Sequence, residues 1–203
     1  MLRLRLVVRA VSPLIVRVVE VTAVATLAML DEVLAACLGW SGEDVSMFTV
    51  RAVSYSGNPL VGALPTRGVM VGSLGLRAGE RFTWCPDLTS GWMVDVRVEA
   101  FSDADDVRVG VGVRCVSGRR AGPPVWCRSP AEFYGWEAEH NFGEFIDCLS
   151  GMIDARDRGD VVIGERLAGI AAWVVRDRFD KARVNIALGS LEVRSCVSSS
   201  RSA

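Results

Sequence analysis

The alternation of apolar and polar residues is clearest between residues 81 and 99. It predicts a strand at Arg81–Cys85 and a second at Trp92–Glu99, because every second side chain of a strand points to the same face. The residues between them, Pro86–Gly91, are rich in turn formers and would make the corner of a hairpin. The whole stretch is therefore predicted to be a hairpin that holds a polar corner on two rigid strands.

The N-terminal part predicts two strands and a helix. Leucine and arginine alternate over residues 2–6, and residues 14–21 are rich in β-branched side chains. Apolar residues then recur at helical spacing over residues 26–39, with Asp31 and Glu32 on the polar face. The predicted helix starts at an N-cap threonine and ends at a glycine, Thr26 and Gly39.

The remaining elements complete a predicted α+β fold. A strand is expected at 47–55, a short edge strand at 69–74 and another strand at 107–115, with helices from 131, at 142–155, at 161–175 and at 181–191. Strands followed by helices predict an antiparallel sheet with one N-terminal crossover helix and a C-terminal helical part packed on it. We expect a single domain at 2–192, with a sheet-forming part at 2–128, a helical part at 131–192 and a flexible tail at 193–203.

Composition excludes some classes of function. The net charge is −1 and the pI about 5.9, so the chain as a whole lacks the basic character of a nucleic-acid-binding protein. No apolar run approaches the roughly 20 residues that a membrane span requires. The first ten residues do not follow a signal-peptide pattern, which favours a cytoplasmic protein without a membrane partner.

The six cysteines form no C-x-x-C pair and are expected to be reduced thiols. Cys115 and Cys127 are separated by eleven residues, which is not the spacing of a zinc-ligand pair. Cys85 and the single histidine, His140, would complete four ligands only if the fold brought them together. The favoured interpretation is a protein without a cofactor, and the alternative is a zinc site formed by these four residues.

Five stretches, taken in order, resemble motifs of one bacterial family. Val11–Arg17 reads V-S-P-L-I-V-R, similar to that family's V-S-P-P-I-W-R, and Leu30–Trp40 is similar to its L-H-E-V-I-Q-A-A-M-G-W. The hairpin resembles K-V-G-D-R-F-x-Y-x-Y-D-F-G-D-G-W-E-H-x-I-x-V-E. Cys115–Pro130 resembles C-L-D-G-x-x-A-C-P-P-E-D-C-G-G-P, and Arg178–Leu188 resembles a closing F-D-x-x-x-V-N-x-x-L. The family is that of the Ri-plasmid open-reading-frame-three-like proteins, also known as TnpR-like passengers of insertion elements. The resemblance runs over roughly residues 2–191 and implies a common fold.

The chain departs from the family pattern at its polar positions. The hairpin corner keeps Asp87 and the Gly-Trp pair that ends at Trp92, but lacks the family's second Asp and its His. Where the family has a histidine pair after the Trp at 40, this chain has Asp44 and Ser46. The resemblance therefore implies a degenerate member that has kept the family's fold and has lost much of its polar cluster.

These observations favour a non-enzymatic binding or interaction protein of a mobile-element-associated family, whose partner is an unknown protein or a second copy of the chain. Its predicted surface combines the hairpin corner with the loop at residues 114–128. One alternative is a metal-dependent hydrolase or nucleic-acid-processing enzyme that uses Asp87, Asp44 and His140 around magnesium. Another is a DNA-associated accessory protein, since an arginine cluster with a Trp can contact nucleic acid. The candidate binding residues are Asp87, Ser90, Trp92, Arg114, Arg119, Arg120, Trp126 and Arg128.

Overall fold

The computed structural model describes residues 1–59, 62–102, 112–139, 142–157 and 178–199. This part of the chain has the predicted α+β class, with eight strands in one sheet and four helices. The strands are β1 (Leu2–Val8), β2 (Val16–Val21), β3 (Met47–Val50), β4 (Val53–Ser56), β5 (Leu64–Pro65), β6 (Arg81–Cys85), β7 (Val94–Phe101) and β8 (Val113–Arg119). The helices are α1 (Leu27–Leu38), α2 (Pro130–Glu139), α3 (Phe142–Asp157) and α4 (Lys181–Ser199). None of these helices has the length and apolar character needed to cross a membrane.

The sheet has the strand order β5-β4-β3-β6-β7-β1-β2-β8, and every pair is antiparallel except β4 with β5. Alternation places one set of side chains of β1, β6 and β7 in the core and the other set on the opposite face. The inward set packs with the apolar side of α1 to form one continuous core. Its completely or almost completely buried members on these strands are Leu2, Leu4, Leu6, Val8, Phe82, Trp84, Val94, Val96 and Val98.

Helix α1 has the predicted caps. The Thr26 hydroxyl accepts a hydrogen bond from the Met29 amide at 3.2 Å, which satisfies one of the free amides of the first turn. Gly39 adopts a left-handed conformation with φ of 80°, which glycine tolerates because it has no Cβ. The helix therefore starts and ends where the sequence pattern indicates.

The carboxyl end of α1 is held by a buried cation, Arg17 of β2, which is 2% exposed. Its Nε donates to the Cys37 carbonyl at 2.8 Å, and its Nη1 donates to the carbonyls of Val16 at 2.7 Å and Arg119 at 3.0 Å. The Phe179 ring lies 4.4 Å from its Cζ. Burial lowers the pKa of Arg17, but a guanidinium stays protonated in a protein. A positive charge at the negative end of the helix dipole stabilises the packing of α1 on the sheet.

Strand β8 lies at an edge of the described sheet, and a side chain of α4 covers part of this edge. The Asn185 side chain accepts from the Cys115 amide at 2.8 Å and donates to the Cys115 carbonyl at 3.0 Å. This pair of hydrogen bonds replaces those that a neighbouring strand would make. It protects backbone groups that would otherwise be free to pair with another chain.

Two predicted strands differ from the structure. The strand expected at 47–55 is a hairpin, β3 and β4, that turns at Arg51 and Ala52 with φ of 49° and 65°. Sequence reasoning missed this turn because glycine or asparagine usually occupies such positions. The edge strand expected at 69–74 is an isolated bridge between Met70 and Thr26, followed by a short 3₁₀ helix at Gly72–Leu74.

The later elements are confirmed where the structure describes them. Helices α2 and α3 begin near the predicted residues 131 and 142, and the helix predicted at 181–191 continues as α4 to Ser199. The strand predicted at 107–115 is found at Val113–Arg119, and residues 107–111 lie outside the described part of the chain. The helix predicted at 161–175 also lies outside it.

Candidate binding site

The corner between β6 and β7 is stiffened by its own polar side chains. The Asp87 carboxylate accepts hydrogen bonds from the Thr89 amide and hydroxyl, both at 2.8 Å, through the same oxygen. The Ser90 hydroxyl donates to the Asp87 carbonyl at 2.9 Å. Asp and Ser fold this way because their short side chains reach backbone groups two or three residues away. The corner therefore presents Asp87 in one orientation although it belongs to a loop.

A second segment, the loop at residues 120–129 between β8 and α2, lies against this corner and is called the docked loop. Arg128 donates through Nη2 to the other carboxylate oxygen of Asp87 at 2.7 Å and to the Thr89 hydroxyl at 3.1 Å. The Trp92 indole donates to the Cys127 carbonyl at 2.8 Å, and the Gly91 amide donates to the Arg128 carbonyl at 3.1 Å. Asp87 is only 6% exposed, so its charge is balanced by the guanidinium that reaches it from this loop.

Aromatic rings form the wall behind the corner. The Trp40 ring lies 6.0 Å from that of Trp84 and 5.9 Å from that of Trp92, and the Trp92 ring lies 6.0 Å from that of Phe133. The Trp40 indole donates to the Pro123 carbonyl at 3.1 Å, which ties the end of α1 to the docked loop. These separations are typical of favourable aromatic pairs.

These groups enclose a small open cavity, which we call the corner pocket. It is lined in part by Trp40, Asp44, Asp87, Trp92, Cys127 and Arg128. Its volume is about 40 Å³, whereas one water needs about 10–15 Å³ of such space. The corner pocket therefore has room for a few waters or for the tip of one side chain, and not for a large ligand.

Sequence reasoning missed Asp31, which lies beneath the corner pocket instead of on the solvent face of α1. Its carboxylate accepts from the Trp84 indole and from the Ser46 hydroxyl, each at 2.6 Å. Burial raises the pKa of Asp31. Helical spacing does not reveal this role, because the partners come from β6 and from the loop before β3. Asp31 orients one wall of the pocket by holding the Trp84 ring.

Comparison with known proteins identifies the family. The family model of plasmid pRiA4b ORF-3-like proteins matches residues 1–187. The chain belongs to this family. No curated protein is significantly similar to the chain. Among solved structures it is similar to the crystal structure of a protein of unknown function, MM3350 from Methanosarcina mazei Go1, with 15% identity and a TM-score of 0.61. That match covers 89% of this chain and 95% of the other, and it shows a shared fold.

Three stretches by which the chain resembles the ORF-3-like family meet at the corner pocket. Trp40 ends the first, Asp87 and Trp92 belong to the hairpin, and Cys127 belongs to the third. The distances above show that these residues, which are up to 87 positions apart in the sequence, share one site. The pocket is thus built from the parts of the chain that carry the family resemblance.

The four predicted arginines do not form one patch in this ORF-3-like protein. Arg128 lies at the corner pocket, whereas Arg120 donates to the Pro13 carbonyl at 2.8 Å and pairs with Glu137. Arg114 pairs with Glu20 on the far side of the sheet, and Arg119 is exposed at the end of β8. The remaining predicted residue, Trp126, is 60% exposed beside the pocket and contacts the Trp136 ring edge-on at 6.0 Å.

The three cysteines of the predicted zinc site are each bonded locally. The thiols of Cys85, Cys115 and Cys127 donate to the carbonyls of the residues two positions later, at 3.4, 3.5 and 3.4 Å. Burial raises the pKa of Cys85 and of Cys127, so both thiols are in the neutral form at pH 7. Over the ranges that the structure describes, no three His, Cys, Asp or Glu side chains are placed to hold a metal ion. His140 lies outside these ranges.

Proposed function

We propose that this ORF-3-like protein is a binding module and that the corner pocket with its rim is its recognition surface. The observation that supports this most is the convergence of the hairpin corner, the end of α1 and the docked loop on one small cavity. The Asp87 carboxylate is occupied by Thr89 and Arg128, which suits a fixed recognition surface better than a group that must exchange protons or ligands.

The rim has the composition of a protein interface. Val125 and Trp126 are each 60% exposed, and the Arg128 side chain is 51% exposed. Exposed Trp and Arg side chains beside a concave site are typical of residues that contribute most of the binding free energy at interfaces. The partner that fits is a protein segment, or a second copy of the chain, that places one side chain in the pocket and covers Trp126.

Two tryptophan variants separate folding from binding. Trp92→Ala removes a buried ring and its hydrogen bond to Cys127, so the free energy of unfolding should fall by about 3–5 kcal/mol. Trp126→Ala alters an exposed ring, so its melting temperature should stay close to that of the unaltered protein while association weakens. Phe101→Ala is the matched control, because Phe101 is 53% exposed at the end of β7 and has no place in the pocket.

Association should be measured first as self-association, by sedimentation over a range of protein concentrations. The proposal predicts that Trp126→Ala shifts the equilibrium toward monomer, or weakens capture of a purified protein partner, and that Phe101→Ala does neither. Equal association of all three proteins would contradict it. So would a catalytic activity that is lost in Trp92→Ala while thermal melting is unchanged.

A second candidate function is a magnesium-dependent hydrolase or nucleic-acid-processing enzyme. The observation that favours it is that Asp44 and Asp87 both line the corner pocket, with Arg128 4.0 Å from one and 2.7 Å from the other. Magnesium is usually bound through one or two carboxylates, and two lie at this cavity. Magnesium-dependent cleavage of a nucleic acid or phosphoester that disappears in Asp87→Ala would support it, and no cleavage over such a panel would exclude it.

A further inference from the structure

The face of the sheet that points away from the core, here called the outer face, is rich in arginine. Its arginines come from β1, β6, β7 and β8, because their positions alternate with the buried residues of each strand. They are Arg3, Arg5, Arg81, Arg97, Arg114 and Arg119. The outer face thus concentrates positive charge on a chain whose net charge is −1.

Nearby carboxylates neutralise only part of this charge. Glu20 is shared by Arg3 at 2.7 Å and Arg114 at 2.5 Å. Glu99 lies 3.7 Å from Arg5, which is a loose pair between half-exposed side chains. In the described part of the chain, neither Arg81 nor Arg97 forms an ion pair, and both are exposed.

The two unpaired arginines and Arg5 stand directly opposite one another on three neighbouring strands. Arg5 of β1 faces Arg97 of β7, which in turn faces Arg81 of β6. Like charges directly opposite each other destabilise an antiparallel sheet, and this arrangement contains two such pairs in succession. We call these three residues the arginine row. The row therefore lowers the stability of the fold, and a bound anion would offset this cost.

We propose that the arginine row binds the phosphate backbone of a nucleic acid. Neighbouring strands lie about 4.8 Å apart, so the row spans about 10 Å. Along each strand of a duplex, phosphates follow one another about every 3.4 Å of helix axis, so the row matches about three phosphates. A guanidinium group can donate two parallel hydrogen bonds to the oxygens of one phosphate. Bound phosphates would also offset the repulsion among the three arginines.

The surroundings of the row favour phosphate over an acidic protein surface. Its neighbours on the outer face include Thr83 and the carboxylates of Asp95 and Glu99, which are paired with Arg9 at 2.5 Å and with Arg5 at 3.7 Å. A protein interface would call for an apolar or aromatic centre, and the row lacks one among the described residues. The overall charge of −1 does not oppose the assignment, because charges beyond about 10 Å are largely screened at physiological salt.

The experiment is the binding of a fluorescein-labelled 20-base-pair DNA duplex, measured by anisotropy from 50 to 200 mM salt. The test variant is Arg81→Gln with Arg97→Gln, and the control is Arg67→Gln with Arg178→Gln, which removes the same charge at exposed positions elsewhere. We expect the test variant to bind about tenfold more weakly or worse at 50 mM salt. Its slope of log K against log salt should be shallower by about 1.8, at 0.9 per lost phosphate contact. The control should keep both the affinity and the slope.

Thermal melting distinguishes a lost contact from a lost fold. The test variant relieves like-charge repulsion, so its melting temperature should be unchanged or higher. Absence of duplex binding by the unaltered protein at 50 mM salt would overturn the proposal, as would equal weakening in the control. Displacement of the duplex by poly-glutamate at an equal concentration of charge would show that acidic polypeptide is the ligand, and would overturn the assignment to phosphate.

Discussion

Two buried charged side chains, Arg17 and Asp87, are stabilised in different ways in this fold. Arg17 is enclosed at the carboxyl end of α1, donates to three backbone carbonyls and is covered by the Phe179 ring. Asp87 is almost as well buried, but its partner is Arg128, whose side chain is 51% exposed at the rim of an open cavity. One charge is sealed inside the protein, and the other lies at the boundary with solvent.

The difference separates contacts that hold the fold together from contacts that form the candidate site, within one set of family motifs. Arg17, Phe179 and Asn185 come from stretches that resemble the ORF-3-like family, and their contacts join α1, α4 and β8 into one unit. Asp87 and Trp92 come from another such stretch, and their contacts close a pocket. A buried charge satisfied by backbone carbonyls stays enclosed in the core, whereas one balanced by a half-exposed side chain holds that side chain in place at the surface.

Among substitutions of the charged side chains compared here, the largest effect on stability is expected from Arg17→Met. The substitution removes the donor to three backbone carbonyls, including a buried one at the end of α1, so the free energy of unfolding should fall by about 3 kcal/mol. Urea unfolding measures it. Arg17→Lys should recover part of the loss, because one ammonium cannot reach all three carbonyls. An unchanged unfolding midpoint in Arg17→Met would show that the sealed charge is not structural.

A smaller effect on stability is expected from Asp87→Asn. The amide can still accept from Thr89, but it loses the ion pair with Arg128, so the loss should be about 1 kcal/mol. Partner association should fall more than stability does, since the rim arginine is no longer held. Arg128→Gln, which breaks the same pair from the exposed side, should behave alike. A loss of stability as large as that of Arg17→Met would remove the contrast between the two regions.

The smallest effect is expected from Glu80→Gln, a surface carboxylate that lies outside both regions and serves as a reference for them. Hydrogen bonds from Arg51 and from the Arg77 amide lower the pKa of Glu80 to about 2. An unfolded chain would protonate this group near pH 4.3, so its contribution is complete above that pH and is lost as the pH falls toward 2. The difference in melting temperature between Glu80→Gln and the unaltered protein should therefore shrink from about pH 5 to pH 2. A difference that is constant with pH would contradict this pKa.

Local interactions explain why much of the fold follows from the sequence. The caps of α1 at Thr26 and Gly39, the hairpin strands and the α+β class depend on neighbouring residues and on periodicity, which a sequence displays directly. The turn at Arg51 and Ala52 does not, because the pairing of β3 with β4 closes on two residues and requires a left-handed conformation that these residues rarely adopt. At these two residues the tertiary structure overrides the local conformational preference.

The candidate site, like the fold, was predicted from the sequence in part and was completed by the tertiary structure. The sequence by itself determined the polar corner, its Asp87 and Trp92, and the family to which the chain is similar. The sequence also predicted that the loop at 114–128 joins the corner. Only the tertiary structure decided that Trp40 and Cys127 line one pocket with the corner and that, of the four predicted arginines, Arg128 reaches Asp87. It also decided that Asp31 faces inward and that Arg5, Arg81 and Arg97 stand in one row. The physical reason is that strand register and loop docking are set by the whole core, since they bring together residues whose spacing in the sequence carries no trace of their distance in space.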